Sequence, residues 1–414
     1  MEGQQTNMAI NIKNIEDLLQ KKAYGVDSST STSDLSNIIE AALLATNSLR
    51  EYDSAGLLPA ATSNEKIAFI SSDKSVRFNN GSKWDTLVSG GVRADPVITA
   101  DNIAQGVSYG YVAGGEITPV TPFPTGGDNT IEKFAFASDG NATDVGDLAE
   151  GHGAAAGRND DTIALILGGV LMPTNTPTNK VQSFTFASGT DAAVEPYVLG
   201  NQANYSSRGI HQTPDIAYVT GGYRSPPLAV YSAINKYPFA NNSNATTVSD
   251  PSNNIQRAFH SSGSMSPTHA YFGGNWAVFT PATTDAEVLR KYPFATSDAS
   301  SSDVGDMLPG SPYGMAGITG PTHGYAVGGG AFSNVIQKYP FSSDASASDV
   351  GDMQVAMAYA GGNQSPSFGY ISAGGIPSGY PTSIEKFTFP SDNPSTDVGD
   401  LTSAGHKYAA NMQI

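Results

Sequence analysis

Residues 323–353 read HGYAVGG-GAFSN-VIQKYPF-SSDASAS-DVGDM, and the same three motifs return in the same order through most of the chain. A short apolar run closing on Gly-Gly stands at 109–115, 163–169, 216–222, 269–274, 323–329 and 368–375. Each is followed by a segment with two aromatics spaced two apart: IEKFAF at 131–136, VQSFTF at 181–186, INKYPF at 234–239, LRKYPF at 289–294, IQKYPF at 336–341 and IEKFTF at 384–389. DVGDL or DVGDM closes four of the repeats, at 144–148, 303–307, 349–353 and 397–401.

The second glycines lie 46 to 55 residues apart. A period near 50 made of short strands and turns is what one four-stranded blade requires. Six repeats therefore predict a mainly β chain, with a six-bladed β-propeller over 97–414. Glycine pairs end the inner strands, because glycine adopts positive φ and lets backbones approach closely. Paired aromatics such as Phe134 and Phe136 share one strand face and are expected to pack between blades. Pro238, Pro293 and Pro340 place that strand toward a sheet edge. The recurrent Lys133, Lys236, Lys291, Lys338 and Lys386 read as solvated residues that discourage edge pairing. His269 and His323, each within a P-T-H turn, read as structural. Ala404–Met412 aligns with the position that opens a blade, so the C-terminal strand is expected to join the first blade and close the ring.

Residues 1–91 lack the repeat. Apolar spacing predicts helices near 15–19 and 33–50, and FNNGSKW at 78–84 predicts a β-hairpin around Asn-Gly. This is a small α+β module, joined by a linker at 92–96. Its apolar helical stripe has little partner surface of its own, which points to attachment or self-association.

The chain holds 414 residues, 45 of them Gly and 25 Pro, the composition of many short strands joined by turns. Its formal charge of −17 disfavours nucleic acid and anionic membranes as partners. No Cys is present, so disulfides, thiolate metal sites and Cys nucleophiles are excluded. The first 19 residues lack the pattern of a signal peptide, and no run is long enough to span a bilayer.

The hydrophobic run, Gly-Gly and spaced aromatics resemble kelch-type propellers, without the tryptophan late in each blade; only Trp84 and Trp276 occur. The repeats are similar to the divergent kelch-like repeats of tailed-bacteriophage structural proteins, and the 78–84 hairpin to short hairpins of phage fibre and tail proteins. That resemblance implies a non-enzymatic virion protein, made in the host cytoplasm. Its N-terminal module would anchor to other virion proteins, with a homo-oligomer, a trimer by fibre analogy, as the expected assembly. A carbohydrate-binding or glycan-degrading propeller and a bacterial adhesin are the alternatives.

Two sets of candidate site residues follow. Variable loops after each Gly-Gly carry Tyr223, Trp276, Phe279 and Tyr380, aromatics suited to stacking on a host glycan or anchoring a protein partner. The acidic loop SDGNATDVGD at 138–147 places Asp139, Asn141, Asp144 and Asp147 as oxygen donors for Ca²⁺. The preferred reading of that loop is turn formation by side chains bonding their own backbone, with no cofactor. No Gly-rich phosphate loop or nucleophile motif occurs, and the cross-linked Tyr–Cys cofactor of galactose oxidase is ruled out by the absence of Cys.

Overall fold

The computed structural model describes five strands before residue 89 (7–8, 49–52, 67–70, 75–79, 84–88). Beyond them it describes 106–116, 127–160, 162–172, 174, 176–186, 191–199, 209–212, 216–220, 223–224, 229–230, 233–239, 244–249, 262–274, 287–294, 301–310, 313–389, 391–402 and 406–414. The chain divides into two compact units, Met1–Thr99 and Ala100–Ile414.

In the first unit, Asn7–Met8, Leu49–Tyr52, Ile67–Ile70, Ser75–Asn79 and Trp84–Val88 form one five-stranded sheet in that order. Asn79 pairs with Trp84 across the expected Asn-Gly hairpin. The helix expected at 15–19 and most of that at 33–50 lie outside the described residues. Leu49 and Arg50, at the end of the latter, instead begin a strand parallel to Ile67–Ile70. Asn47-Ser48 is a helix stop signal that the apolar spacing alone passed over.

The second unit is built from antiparallel sheets. Among the described residues six have four strands, each ordered first strand, Gly-Gly strand, aromatic strand and a fourth strand that carries DVGD in sheets 1, 4, 5 and 6. Sheet 1 comprises Ala410–Gln413, Tyr109–Glu116, Gly127–Ala135 and Thr143–Asp147. Sheet 2 comprises Ala156–Asn159, Ile163–Leu167, Lys180–Thr185 and Ala193–Val198. Sheet 3 has Gly209–Gln212, Ile216–Thr220, Ala233–Pro238 and Thr246–Ser249. Sheet 4 has Ser262–Met265, His269–Gly273, Val288–Pro293 and Ser302–Asp306. Sheet 5 has Ala316–Thr319, His323–Val327, Val335–Pro340 and Ser348–Asp352. Sheet 6 has Gly361–Gln364, Phe368–Ser372, Ser383–Thr388 and Thr396–Asp400. The first strand of sheet 1 is the C-terminal strand, in register Ala410↔Ala113 to Gln413↔Gly110. First strands of consecutive sheets touch, and those of sheets 6 and 1 touch as well.

A tyrosine in the middle of the Gly-Gly strand packs against the two aromatics of the following sheet. Tyr325 lies 5.2 Å from both Phe387 and Phe389, and Tyr271 lies 6.1 Å from Tyr339 and 4.9 Å from Phe341. Tyr370 of sheet 6 sits 5.6 and 4.7 Å from Phe134 and Phe136 of sheet 1. The phenol of Tyr325 donates to the Phe389 carbonyl at 3.1 Å, so this aromatic wedge also satisfies its polar tip.

DVGD is a β-bulge. Ile131 pairs with Gly146 and Glu132 with Asp144, leaving Val145 as the extra residue, and the other three copies shift register at the same place. Its glycine is required. Gly399 has φ +159°, and a Cβ there would stand 2.2 Å from the Gly140 carbonyl oxygen of the next loop.

Two expectations are corrected. The aromatic strand is interior rather than at an edge: His323 pairs with Pro340 on one side, while the acidic strand pairs on the other only as far as Lys338. Proline is tolerated because it sits beyond the end of that second ladder. The recurrent lysines are not free solvated residues. Lys291 pairs with Asp344 and Lys338 with Asp392, each at 2.7 Å, and Lys386 pairs with Asp139, each time joining one sheet to the acidic loop of the next.

Candidate functional site

On the Gly-Gly side of the second unit, four first strands, those of sheets 1, 2, 5 and 6, are entered through a residue with left-handed backbone. At Gly314, Tyr359, Tyr408 and Ala154 φ is +68°, +60°, +65° and +52°. These four are chained by hydrogen bonds. The Tyr359 N–H donates to the Gly314 carbonyl at 2.7 Å, Tyr408 to Tyr359 at 3.2 Å, and Ala154 to Tyr408 at 3.0 Å. Glycine fits this conformation without steric cost, whereas a bulky side chain in it is an outlier. Two of the four positions nevertheless carry tyrosine.

The rings of Tyr359 and Tyr408 lie 4.6 Å apart, with Tyr313 6.2 Å from Tyr359. All three are half-buried. Lys407 Nζ stands 4.9 and 4.6 Å from the Tyr359 and Tyr408 ring centres and 4.0 Å from Glu116. Half-buried Tyr380 has its phenol held above the ordinary value, by burial first and by the Glu116 charge second. Ala360 and Ala409, which follow two of the tyrosines in sequence, line a cavity of about 60 Å³ with Gly157, Arg158, Gly361 and Asn411. Burial pulls the Arg158 guanidinium down to about 9.

The segment that carries Lys407 and Tyr408 also carries His406, which is fully buried. Its Nε2 faces Glu132 Oε1 at 3.0 Å, and its Nδ1 faces the Gly114 carbonyl at 2.9 Å and Asp128 Oδ2 at 3.3 Å. Both nitrogens meet acceptors, so both donate, and the ring is an imidazolium. Burial lowers its pKa, but the Glu132 and Gly114 hydrogen bonds and the Asp128 and Glu132 charges raise it above the usual histidine value. Burial likewise pushes Glu132 up, and hydrogen bonds from His406 and Thr402 more than reverse this, leaving it below the usual range. The matching place one sheet on shows the contrast. Gln182 replaces the glutamate, its Nε2 lies 3.2 Å from His152 Nδ1, and burial pulls His152 down to about 4.

Of the aromatic candidates, Tyr380 stands beside this tyrosine group. Tyr223 lies in the short strand Tyr223–Arg224, paired with Ala229–Val230. Trp276 and Phe279 lie outside the described residues. The acidic candidates have separate partners: Asp139 pairs with Lys386, Asn141 Oδ1 accepts the Asp400 N–H at 3.0 Å, and Asp144 Oδ1 accepts the Gly146 N–H at 3.1 Å. The Asp147 N–H donates to Asp191 at 3.0 Å, and burial followed by repulsion from Asp144, Asp191 and Asp128 raises the Asp147 carboxyl. Among the described residues no three His, Asp or Glu side chains stand where one metal ion could be held.

The tyrosine group was missed from sequence because Tyr359 and Tyr408 lie outside the repeated motifs. The available signal was AYAGG at 358–362 set against KYAAN at 407–411, two aligned tyrosines where the other repeats carry Ala154, Ser207, His260 and Gly314. No protein-family model matches the sequence, and no curated protein is similar to it.

Proposed function

We propose that residues 97–414 are a six-bladed, kelch-like β-propeller, and that the chain is a non-enzymatic structural protein of a tailed-bacteriophage virion that contributes to host-surface binding through its Gly-Gly face. The observation that carries the propeller reading is the cyclic contact of the six first strands, with the C-terminal strand supplying the first strand of sheet 1. The binding reading is supported by tyrosines kept at left-handed positions around that face. The virion setting rests on the resemblance of the repeats and of the 78–84 hairpin to phage proteins.

The non-enzymatic reading has support in how the buried carboxylates are used. Glu385 accepts the Gln354 and Val355 N–H groups at 2.9 and 2.8 Å, and Glu132 accepts the Thr402 N–H at 2.9 Å. Both hold the segment that leaves a DVGD strand of the preceding sheet. Mass spectrometry of purified particles tests the virion assignment, and absence of the chain from them refutes it. Release of oligosaccharides from bacterial polysaccharide by the full chain would instead establish the glycan-degrading alternative. The N-terminal module is assigned to attachment or self-association, as a trimer. Light scattering that finds a monomer at high concentration, with no virion partner for 1–91, would overturn that assignment.

A further inference from the structure

Sheets 2 to 6 each join their first strand to their Gly-Gly strand by a short turn: Asn159 leads to Ile163, Gln212 to Ile216, Met265 to His269, Thr319 to His323 and Gln364 to Phe368. In sheet 1 no turn joins the two. Its first strand is Ala410–Gln413 and its Gly-Gly strand is Tyr109–Glu116, and only pairing and packing hold them together. A segment held in this way can leave its sheet without unfolding a hairpin, which makes 406–414 the natural place for local opening.

The bonds that dock this segment are of two kinds. Toward its end they are neutral: Asn411 Nδ2 donates to Asn363 Oδ1 at 2.8 Å, and the Gln413 N–H donates to Asn159 Oδ1 at 3.1 Å. At its start the docking group is His406, fully buried against sheet 1. Its nitrogens face Glu132 at 3.0 Å, the Gly114 carbonyl at 2.9 Å and Asp128 at 3.3 Å. Among the described residues Asp128 and Glu132 are the charged groups that face it, and both lie on Gly127–Ala135. Glu132 also accepts the Thr402 N–H, and Lys407, the next residue along, stands 4.0 Å from Glu116.

The imidazolium donates on both sides. Without its proton the ring turns one lone pair toward an acceptor oxygen and leaves two carboxylates with no cation between them, a costly state in a buried place. Undocking returns all three groups to water. We propose that His406 is a proton-operated latch: its imidazolium docks residues 406–414 on sheet 1, and loss of that proton promotes local release of the segment while sheets 2 to 6 stay folded. Burial opposes the charge, but the Glu132 and Gly114 hydrogen bonds and the two carboxylates outweigh it, so docking raises the pKa above 6.5. Docking is therefore complete below about pH 6.5 and weakens by up to about tenfold per pH unit above it, until the docked-state pKa is passed.

The chain has no Cys, so a single introduced thiol reports on one place. In the full chain, Met412→Cys and Ala409→Cys put the thiol on the closing segment, and Ile318→Cys puts it on the first strand of sheet 5; all three sites are buried. The readout is the rate of labelling by a disulfide reagent, divided at each pH by the rate for an unstructured cysteine peptide. At about pH 8.5 the thiols at 409 and 412 should react at least about tenfold faster than the thiol at 318, and their rates should rise at least about fivefold from pH 6.5. Glu132→Gln should flatten that rise to less than about twofold. The two closing-segment probes differ in size, so a fold lost in one leaves the other to report. Equal rates at 318 and on the closing segment would mean that the segment leaves only when the whole unit unfolds, and would overturn the latch. Closing-segment rates that do not change with pH would overturn the role of the proton. A rise unchanged in Glu132→Gln would assign it to another group and overturn His406.

Discussion

His406→Ala is the most informative perturbation of the fold. His406 and Glu132 are both fully buried and 3.0 Å apart, and the imidazolium also serves the Gly114 carbonyl at 2.9 Å. Removing one partner of a buried ion pair leaves the other charge desolvated and costs about 3–5 kcal/mol. Glu132→Gln should cost less, about 1.5–3 kcal/mol, the range for loss of a hydrogen bond to a charged group, because a neutral amide can still accept the Thr402 N–H and the histidine can shed its proton, as His152 does beside Gln182. It reproduces the Gln182–His152 pair that the chain already contains. The pair also sets a pH window. His406 is raised above its ordinary value, so its contribution is complete below about pH 6.5 and is lost as pH rises through the folded-state pKa. Glu132 is lowered, so its contribution is complete above about pH 4.5 and is lost as pH falls through the folded-state pKa. Urea denaturation of the full chain between pH 4 and 9 should give a stability maximum between these limits, with the alkaline decline flattened in Glu132→Gln. A cost below about 1 kcal/mol for His406→Ala, the level of a surface pair, would refute the buried imidazolium. So would an alkaline decline unchanged in Glu132→Gln.

Deleting 410–414 removes the strand paired with Tyr109–Glu116 and the fully buried Met412, whose side chain alone contributes about 1.5–3 kcal/mol. Calorimetry should show a transition lowered by about 10 °C or more, and an unchanged transition would contradict ring closure. Gly399→Ala forces a Cβ to 2.2 Å from a backbone carbonyl and should destabilise by about 1–3 kcal/mol, measured by urea midpoint. Lys386→Met breaks an ion pair whose aspartate is largely exposed and should cost no more than about 1 kcal/mol; a larger loss would mean that these sheet-to-sheet pairs govern assembly.

Local chemistry made much of this protein legible from its residues alone. Gly-Gly, paired aromatics and DVGD are fixed by requirements within one repeat: a strand that must end, a face that must bury two rings, and a bulge closed by the Asp144, Asp303, Asp349 and Asp397 side chains, each accepting a glycine N–H two residues on at 3.1 Å. Six copies therefore declare both the strand order and the partner of the last strand. The packing of the paired aromatics between sheets was legible, but the polar links between sheets were not, because they join residues from different repeats. Lys291 and Asp344 are 53 positions apart, and neither type is distinctive on a chain with 38 acidic residues. The imidazolium at His406 depends on Glu132, 274 positions away, whereas the equivalent His152 one sheet on, beside Gln182 and not a carboxylate, is held neutral by burial. The tyrosine group arises in the same way. Tyr408 reaches Tyr359 only because the C-terminal strand returns beside the first sheet, and a side chain's charge or exposure is set by the neighbours that such a return brings to it.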